Sequence, residues 1–130
     1  MYLLPQGIDN SDVQEHGERK SMSREITFEK DTSDLNLIFE MLGSISEDLH
    51  HELKASYFTF KSITVKIRYE NFETHTHSKT LPYFTDRLKD IKKSSKDLSY
   101  DYLILNRKIR LIGVRLSNLF SIKKQTRLTD

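Results

Sequence analysis

Residues 108–118 read KIRLIGVRLSN, and the rest of the chain is organised around this stretch. Ile109, Leu111, Ile112, Val114 and Leu116 make a β-rich, partly buried strand. Arg110 and Arg115 sit inside it, and Gly113 interrupts its side chains. A lone Arg facing water from a strand is ordinary. Two of them, beside a glycine that lets another backbone come close, indicate a strand that meets an anionic partner.

Working outward, residues 60–69 form the clearest strand. Ile63, Val65, Ile67 and Tyr69 point one way, and Ser62, Thr64, Lys66 and Arg68 the other. Residues 72–81, FETHTHSKTL, bury little on either side: Thr74, Thr76, Ser78 and Thr80 share one face, His75, His77 and Lys79 the other. Such a strand either runs along an edge in water or lies against phosphate oxygens, which suit short hydroxyls and free edge amides. Pro82 is expected to end it. Residues 20–28, KSMSREITF, alternate as a first strand, with Met22, Ile26 and Phe28 on the apolar side. Arg24 interrupts that side; a Glu partner and a phosphate contact are both open to it.

Two helices complete the pattern. Leu35, Ile38, Leu42, Ile45, Leu49 and Leu53 step by three and four residues, with Thr32, Ser33 or Asp34 as N-cap. Glu40, Glu47, Asp48 and Glu52 lie off that stripe, so this helix belongs on the side of the sheet away from any nucleic acid. A second helix starts near Thr85, with Leu88, Ile91, Ser95, Leu98, Tyr102 and Leu105 as its stripe; residues 100–105 also suit an extended run. The order is strand, helix, strand, strand, helix, strand. The expected fold is α+β: a four-stranded antiparallel sheet with both helices on one face. The bare face carries Lys66, Arg68, Arg115 and the hydroxyl-rich strand, and is the candidate binding surface.

Composition bounds the rest. A 130-residue chain with 36% hydrophobic and 31% charged residues supports one domain with a modest core. It has no apolar run long enough to span a bilayer, and Tyr2, Leu3 and Leu4 are too short a run, broken by Pro5, for a signal peptide. The absence of Cys excludes disulfides and thiolate chemistry and fits a reducing interior. There is no glycine-rich phosphate loop and no G-x-S-x-G turn. His75 and His77 share a strand face but lack a third ligand at metal-site spacing, and no carboxylate cluster suits Mg²⁺. The chain by itself is expected to be no enzyme.

Aligned in order, these elements resemble the C-terminal part of Y-family DNA polymerases, the translesion enzymes that include DNA polymerase IV. KSMSREITF at 20–28 is similar to the family's K-S-[IV]-G/S-x-E-x-T-F. THTHSKTLP at 74–82 is similar to T-x-T-R-S-x-T-L-P, and RLIGVRLSNL at 110–119 to R-L-[IL]-G-V-R-[LV]-S-x-L. QGIDNSDV at 6–13 is similar to the R-G-I-D-x-x-x-V that leads out of the thumb. His77 and Gln6 stand where the family pattern has Arg.

The resemblance implies three parts: a linker or thumb remnant over 1–19, a little-finger DNA-binding domain over 20–119, and a basic tail over 120–130. It implies that the sheet lies in the major groove of primer–template DNA and grips its backbone during lesion bypass in DNA repair. The DNA-contacting positions carried over are Lys20, Ser21, Ser23, Arg24, Thr76, His77, Ser78, Lys79, Thr80, Arg110 and Arg115. The palm, fingers and most of the thumb, with the catalytic carboxylates and two Mg²⁺ ions, are implied to lie outside this chain, so no cofactor and no catalytic residue is expected in it. The remainder of the polymerase is the implied partner, and the implied location is cytoplasmic, at the nucleoid. Gln125 and Leu128 fit the first half of a sliding-clamp box, Q-x-x-h-x-x-a-a. The other reading is a stand-alone α+β protein-interaction module that binds protein through its long helix and does not bind DNA. It needs the bare face to be merely solvated, and the hydroxyl-rich, basic character of that face disfavours it because a protein-binding sheet keeps an exposed apolar patch.

Overall fold

A computed structural model describes residues 21–122. The strands are β1 (Ser21–Thr32), β2 (Phe58–Tyr69), β3 (Thr74–Thr85), β4 (Ile109–Ser117) and the two-residue β5 (Phe120–Ser121). The helices are α1 (Leu35–Ser56), between β1 and β2, and α2 (Leu88–Leu103), between β3 and β4. The main sheet runs β1-β4-β2-β3, every neighbouring pair antiparallel, while β5 lies off this path and pairs with the start of β2. Parallel strands β1 and β2 are therefore separated by β4, and β3 and β4 by β2. The chain makes two split β-α-β units that interleave, and the stretch read first lies inside the sheet.

Alternation decides which way each strand faces. Ile63, Val65, Ile67 and Tyr69 of β2 and Ile112, Val114 and Leu116 of β4 are buried, along with Met22 of β1. These meet Ile38, Leu42, Ile45, Leu49 and Leu53 of α1 and Ile91, Leu98 and Leu103 of α2 in one core. Where the helices approach each other the residues are small: Ser46 of α1 and Ser94, Ser95 and Ser99 of α2 are all buried. Ser46, Ser95 and Ser99 donate their hydroxyls to carbonyls of their own helix at 2.8–3.1 Å, so these buried oxygens have hydrogen-bond partners.

The N-terminus of α1 has a defined cap. Asp34 is extended, and its Oδ1 accepts from Asn36 N at 3.0 Å and Leu37 N at 3.4 Å. We expect Asp34→Ala to cost about 0.5–2 kcal/mol, read as a lowered urea midpoint with unchanged slope. No side chain caps α2; its N-cap is Arg87. Thr85 instead orders the preceding turn, accepting from Arg87 N at 3.1 Å and donating to Asp90 at 2.7 Å.

Several expected boundaries move. Pro82 does not end β3, which continues to Thr85. As an edge strand β3 has no neighbour on one side among the described residues, and its register with β2 shifts between the Ser62–Thr80 and Phe60–Thr85 pairs. A residue without an N–H fits within such an irregularity. Residues 100–103 are helical, and α2 buries Leu103 where Leu105 was expected; Leu105 is 56% exposed. β1 runs on to Thr32, past a second irregularity after Thr27.

The far end of the sheet is held by a polar cluster. Glu73 accepts from His75 Nε2 at 2.6 Å and from Arg107 Nη2 at 3.4 Å, and the His75 and Arg107 contacts hold its carboxyl below the usual range. Arg107 lies 4.0 Å over the Tyr69 ring. The Tyr69 hydroxyl donates to the Tyr102 carbonyl, and burial pushes its acidity to higher pH.

Candidate nucleic-acid interface

Opposite the helices the sheet has an open face, and the strand registers arrange it in rows. Ser21, Ser117, Ser62 and Thr80 form one, and Ser23, Arg115, Thr64 and Ser78 the next. Glu25, Gly113, Lys66 and Thr76 follow, and then Thr27, Leu111, Arg68 and Thr74. The middle rows enclose a depression of about 360 Å³ lined by Ser23, Glu25, Thr64, Lys66, Thr76 and Arg115, among others. Its walls combine hydroxyls, cations and one carboxylate with apolar surface around Gly113 and Val114.

Hydrogen bonds brace this face. Ser62 and Thr80 pair at 3.0 Å and Thr64 and Ser78 at 2.7 Å, joining β2 to the edge strand. Arg68 Nε donates to Thr74 Oγ1 at 3.0 Å. Asn118 Nδ2 donates to Ser62 at 2.6 Å. Each hydroxyl in these pairs keeps acceptor or donor capacity for a further group.

Gly113 sits at the centre, between Glu25 on β1 and Lys66 on β2. With no side chain there, Lys66 Nζ reaches across to Glu25 Oε2 at 2.8 Å. A Cβ on Gly113 would come within 2.9 Å of Glu25 Cγ and 3.4 Å of the Arg24 carbonyl oxygen. Its backbone is not left-handed, so space, not conformation, demands glycine here. Lys66 is thus already paired within the chain. Arg115 is exposed and has no acidic partner among the described residues.

The candidate residues divide by face. Ser21, Ser23, Thr76, Ser78, Thr80 and Arg115 come together on the open face. Arg24, His77 and Lys79 do not: their register partners Val114, Val65 and Ile63 point into the helix-covered core. Arg24 Nη2 is 2.8 Å from Glu52 Oε1 on α1, the Glu pairing that the sequence left open. His77 Nδ1 donates to the Leu98 carbonyl of α2 at 3.1 Å. Arg110 lies at the opening of β4, where the register with β2 slips, 4.4 Å over the Phe72 ring and 3.6 Å from Asp31. Lys20, Gln125 and Leu128 lie outside the described residues. The contact positions carried over by motif leave out Thr64, Lys66 and Arg68, and also Glu25 and Gly113, which the motifs contain; the period-two alternation of β2 is the signal that places the first three on this face.

Residues 19–129 match the model of the impB/mucB/samB family C-terminal domain. The chain belongs to this family. It is the little-finger domain of a Y-family DNA polymerase. It is 41% identical over 119 residues to DNA polymerase IV of Methanoculleus marisnigri, and 34% identical over 119 residues to that of Clostridium perfringens. Each alignment takes in 92% of this chain and 33% of the relative, so the little finger spans about a third of the length of these curated relatives. Among solved structures, a Y-family DNA polymerase chimera of Dbh and Dpo4 superimposes with a TM-score of 0.69 at 23% identity, covering 87% of this chain and 30% of that one. The little finger of PolIV, solved in complex with the beta-clamp processivity factor, gives 0.60 at 16% identity, covering 75% of this chain and 86% of that one. Both show the same fold. Among the described residues no group of three His, Asp or Glu side chains is placed to hold a metal ion.

Proposed function

We propose that this little finger grips the phosphate backbone of primer–template DNA through the open face of its sheet, serving a translesion polymerase in DNA repair. The observation that carries the reading is the pair of middle rows, where Ser23, Thr64, Thr76 and Ser78 surround Arg115 and Lys66 over a shallow depression. Hydroxyls and cations on a broad face meet phosphate oxygens without reading bases, which suits a polymerase that must travel over any template. Nucleotidyl transfer, with its Mg²⁺ ions, belongs to the palm of the whole polymerase. That polymerase is the first partner, and its proposed location is the cytoplasm, at the nucleoid. A sliding clamp is the second partner, through Gln125 and Leu128. Its support is the likeness to a little finger solved with a beta clamp.

The test is fluorescence anisotropy on a short primer–template duplex, titrated with salt. We expect affinity to fall steeply with salt and to be indifferent to sequence. Binding that ignores salt, or none at low salt even after a palm-containing fragment is added back, would sink the reading.

The Glu25–Lys66 pair sets a further expectation. A phosphate reaching Lys66 must displace the Glu25 carboxylate, which also repels it. Glu25→Gln should therefore tighten duplex binding roughly three- to tenfold at low salt and steepen the salt dependence by about one contact.

A further inference from the structure

On the opposite side of the molecule from the sheet's open face, α1 and α2 leave a groove of about 510 Å³ between them. Its floor is apolar, made by Phe39, Leu42 and Gly43 of α1 with Ser95 of α2. Its rim is basic. Lys89, Lys92, Lys93 and Lys96 follow one another at helical spacing along one face of α2, and all four line the groove and are exposed. Lys92 is 3.5 Å from Glu47. Lys96 lies 4.8 Å over the Phe39 ring. Lys89 and Lys93 have no acidic partner among the described residues.

Gly43 gives a second, independent observation. A glycine inside a helix is unfavourable relative to alanine. Here internal packing does not require it: a Cβ would touch nothing closer than the Lys92 Cε, at 3.9 Å, an ordinary van der Waals contact. The space Gly43 leaves is used by no group of the described chain and stays open as the floor of the groove.

We propose that this groove docks an acidic segment of a partner protein, its carboxylates on the lysine rim and an apolar side chain against Phe39, Leu42 and Gly43. Charge complementarity selects the acidic partner, and the floor of Leu42, Gly43 and the Phe39 ring, one face of which Lys96 covers, suits an apolar side chain; a duplex, whose outside is sugar and phosphate, offers phosphates to the rim but keeps its bases stacked inside. The surface lies on the helix layer, so the proposal does not depend on what the sheet face binds.

The experiment uses the full chain and two fluorescein-labelled probes: a short glutamate peptide carrying one phenylalanine and one leucine, and the same peptide with both replaced by serine. We expect the anchored probe to bind roughly tenfold or more tightly than the serine probe. Lys89→Glu combined with Lys93→Glu should weaken both probes about tenfold or more. Gly43→Leu puts a better helix former in place of glycine, so the fold should persist while the floor fills. It should bring the anchored probe down to the serine probe's affinity without lowering the melting temperature. Equal binding of the two probes, or indifference to both sets of substitutions, would overturn the proposal. So would loss of duplex binding in the double lysine variant, which would give the rim to nucleic acid. A concentration-dependent dimer abolished by the same variant would give the groove to a second copy of the chain.

Discussion

Arg115→Ala should weaken binding to a primer–template duplex by about 1.5–3 kcal/mol, roughly ten- to 150-fold, whatever the sequence of the duplex. The log–log slope of affinity against salt should flatten by about one. The argument is geometric. Arg115 projects from an interior strand at the centre of the hydroxyl-lined face, between Ser23 and Thr64, and has no carboxylate to satisfy it among the described residues. A charge-assisted contact with a phosphate is then gained without breaking an existing ion pair, which Lys66 cannot claim. Arg24→Ala is the matched control. It removes the same charge from the opposite face of β1, where the guanidinium holds Glu52 of α1. It should leave the salt slope unchanged and lower stability only slightly, as a partly exposed ion pair does. If Arg24→Ala weakens duplex binding as much as Arg115→Ala, the open face is not the contact surface.

The second large effect concerns folding. Gly113→Val should destabilise the domain by about 1–3 kcal/mol, although valine is the better strand former. The Cβ alone would stand 2.9 Å from Glu25 Cγ, and the branch carbons would occupy the path of the Lys66–Glu25 bridge. Steric cost therefore outweighs propensity. For a domain of this size the melting temperature should fall by about 4–8 °C per kcal/mol. A double-mutant cycle separates the causes. Paired with Glu25→Ala, Gly113→Ala should cost much less than it does alone, because its closest clash is with the Glu25 side chain. Strict additivity would mean that the Arg24 carbonyl, not Glu25, sets the limit.

The sheet and α1 were legible because their periods are clean. Ile63, Val65, Ile67 and Tyr69 alternate without a break, and the α1 stripe from Ile38 to Leu53 is buried as its spacing requires. The end of β3 was not legible: the sequence allowed an edge position for this strand, but Pro82 stops a strand only where an N–H is needed, and the local sequence does not encode the register irregularity that frees it. The candidate site was legible by face and blurred by motif. The alternation of THTHSKT already separates Thr76, Ser78 and Thr80 from His77 and Lys79. A linear motif ignores that division and takes both faces together. Arg110 eluded either approach, since its position is set by a register slip against β2, a property of two strands and not of one.

The short β5 has a mechanical consequence. Phe120 and Ser121 pair with Thr59 and Phe58, the Thr59 hydroxyl donates to the Phe120 carbonyl at 3.2 Å, and Ile122 N donates to the Tyr57 carbonyl at 2.8 Å. This clasp fastens the chain, just before its last eight residues, to the root of an interior strand of the main sheet. A pull on those residues would be taken up first by a few hydrogen bonds at that root, loaded side by side. The tension would then enter the sheet through β2 at the clasp and along the backbone through β4, both flanked by strands on both sides, and not through the exposed β3 edge. A tether attached there could haul on the domain without peeling its weakest strand away.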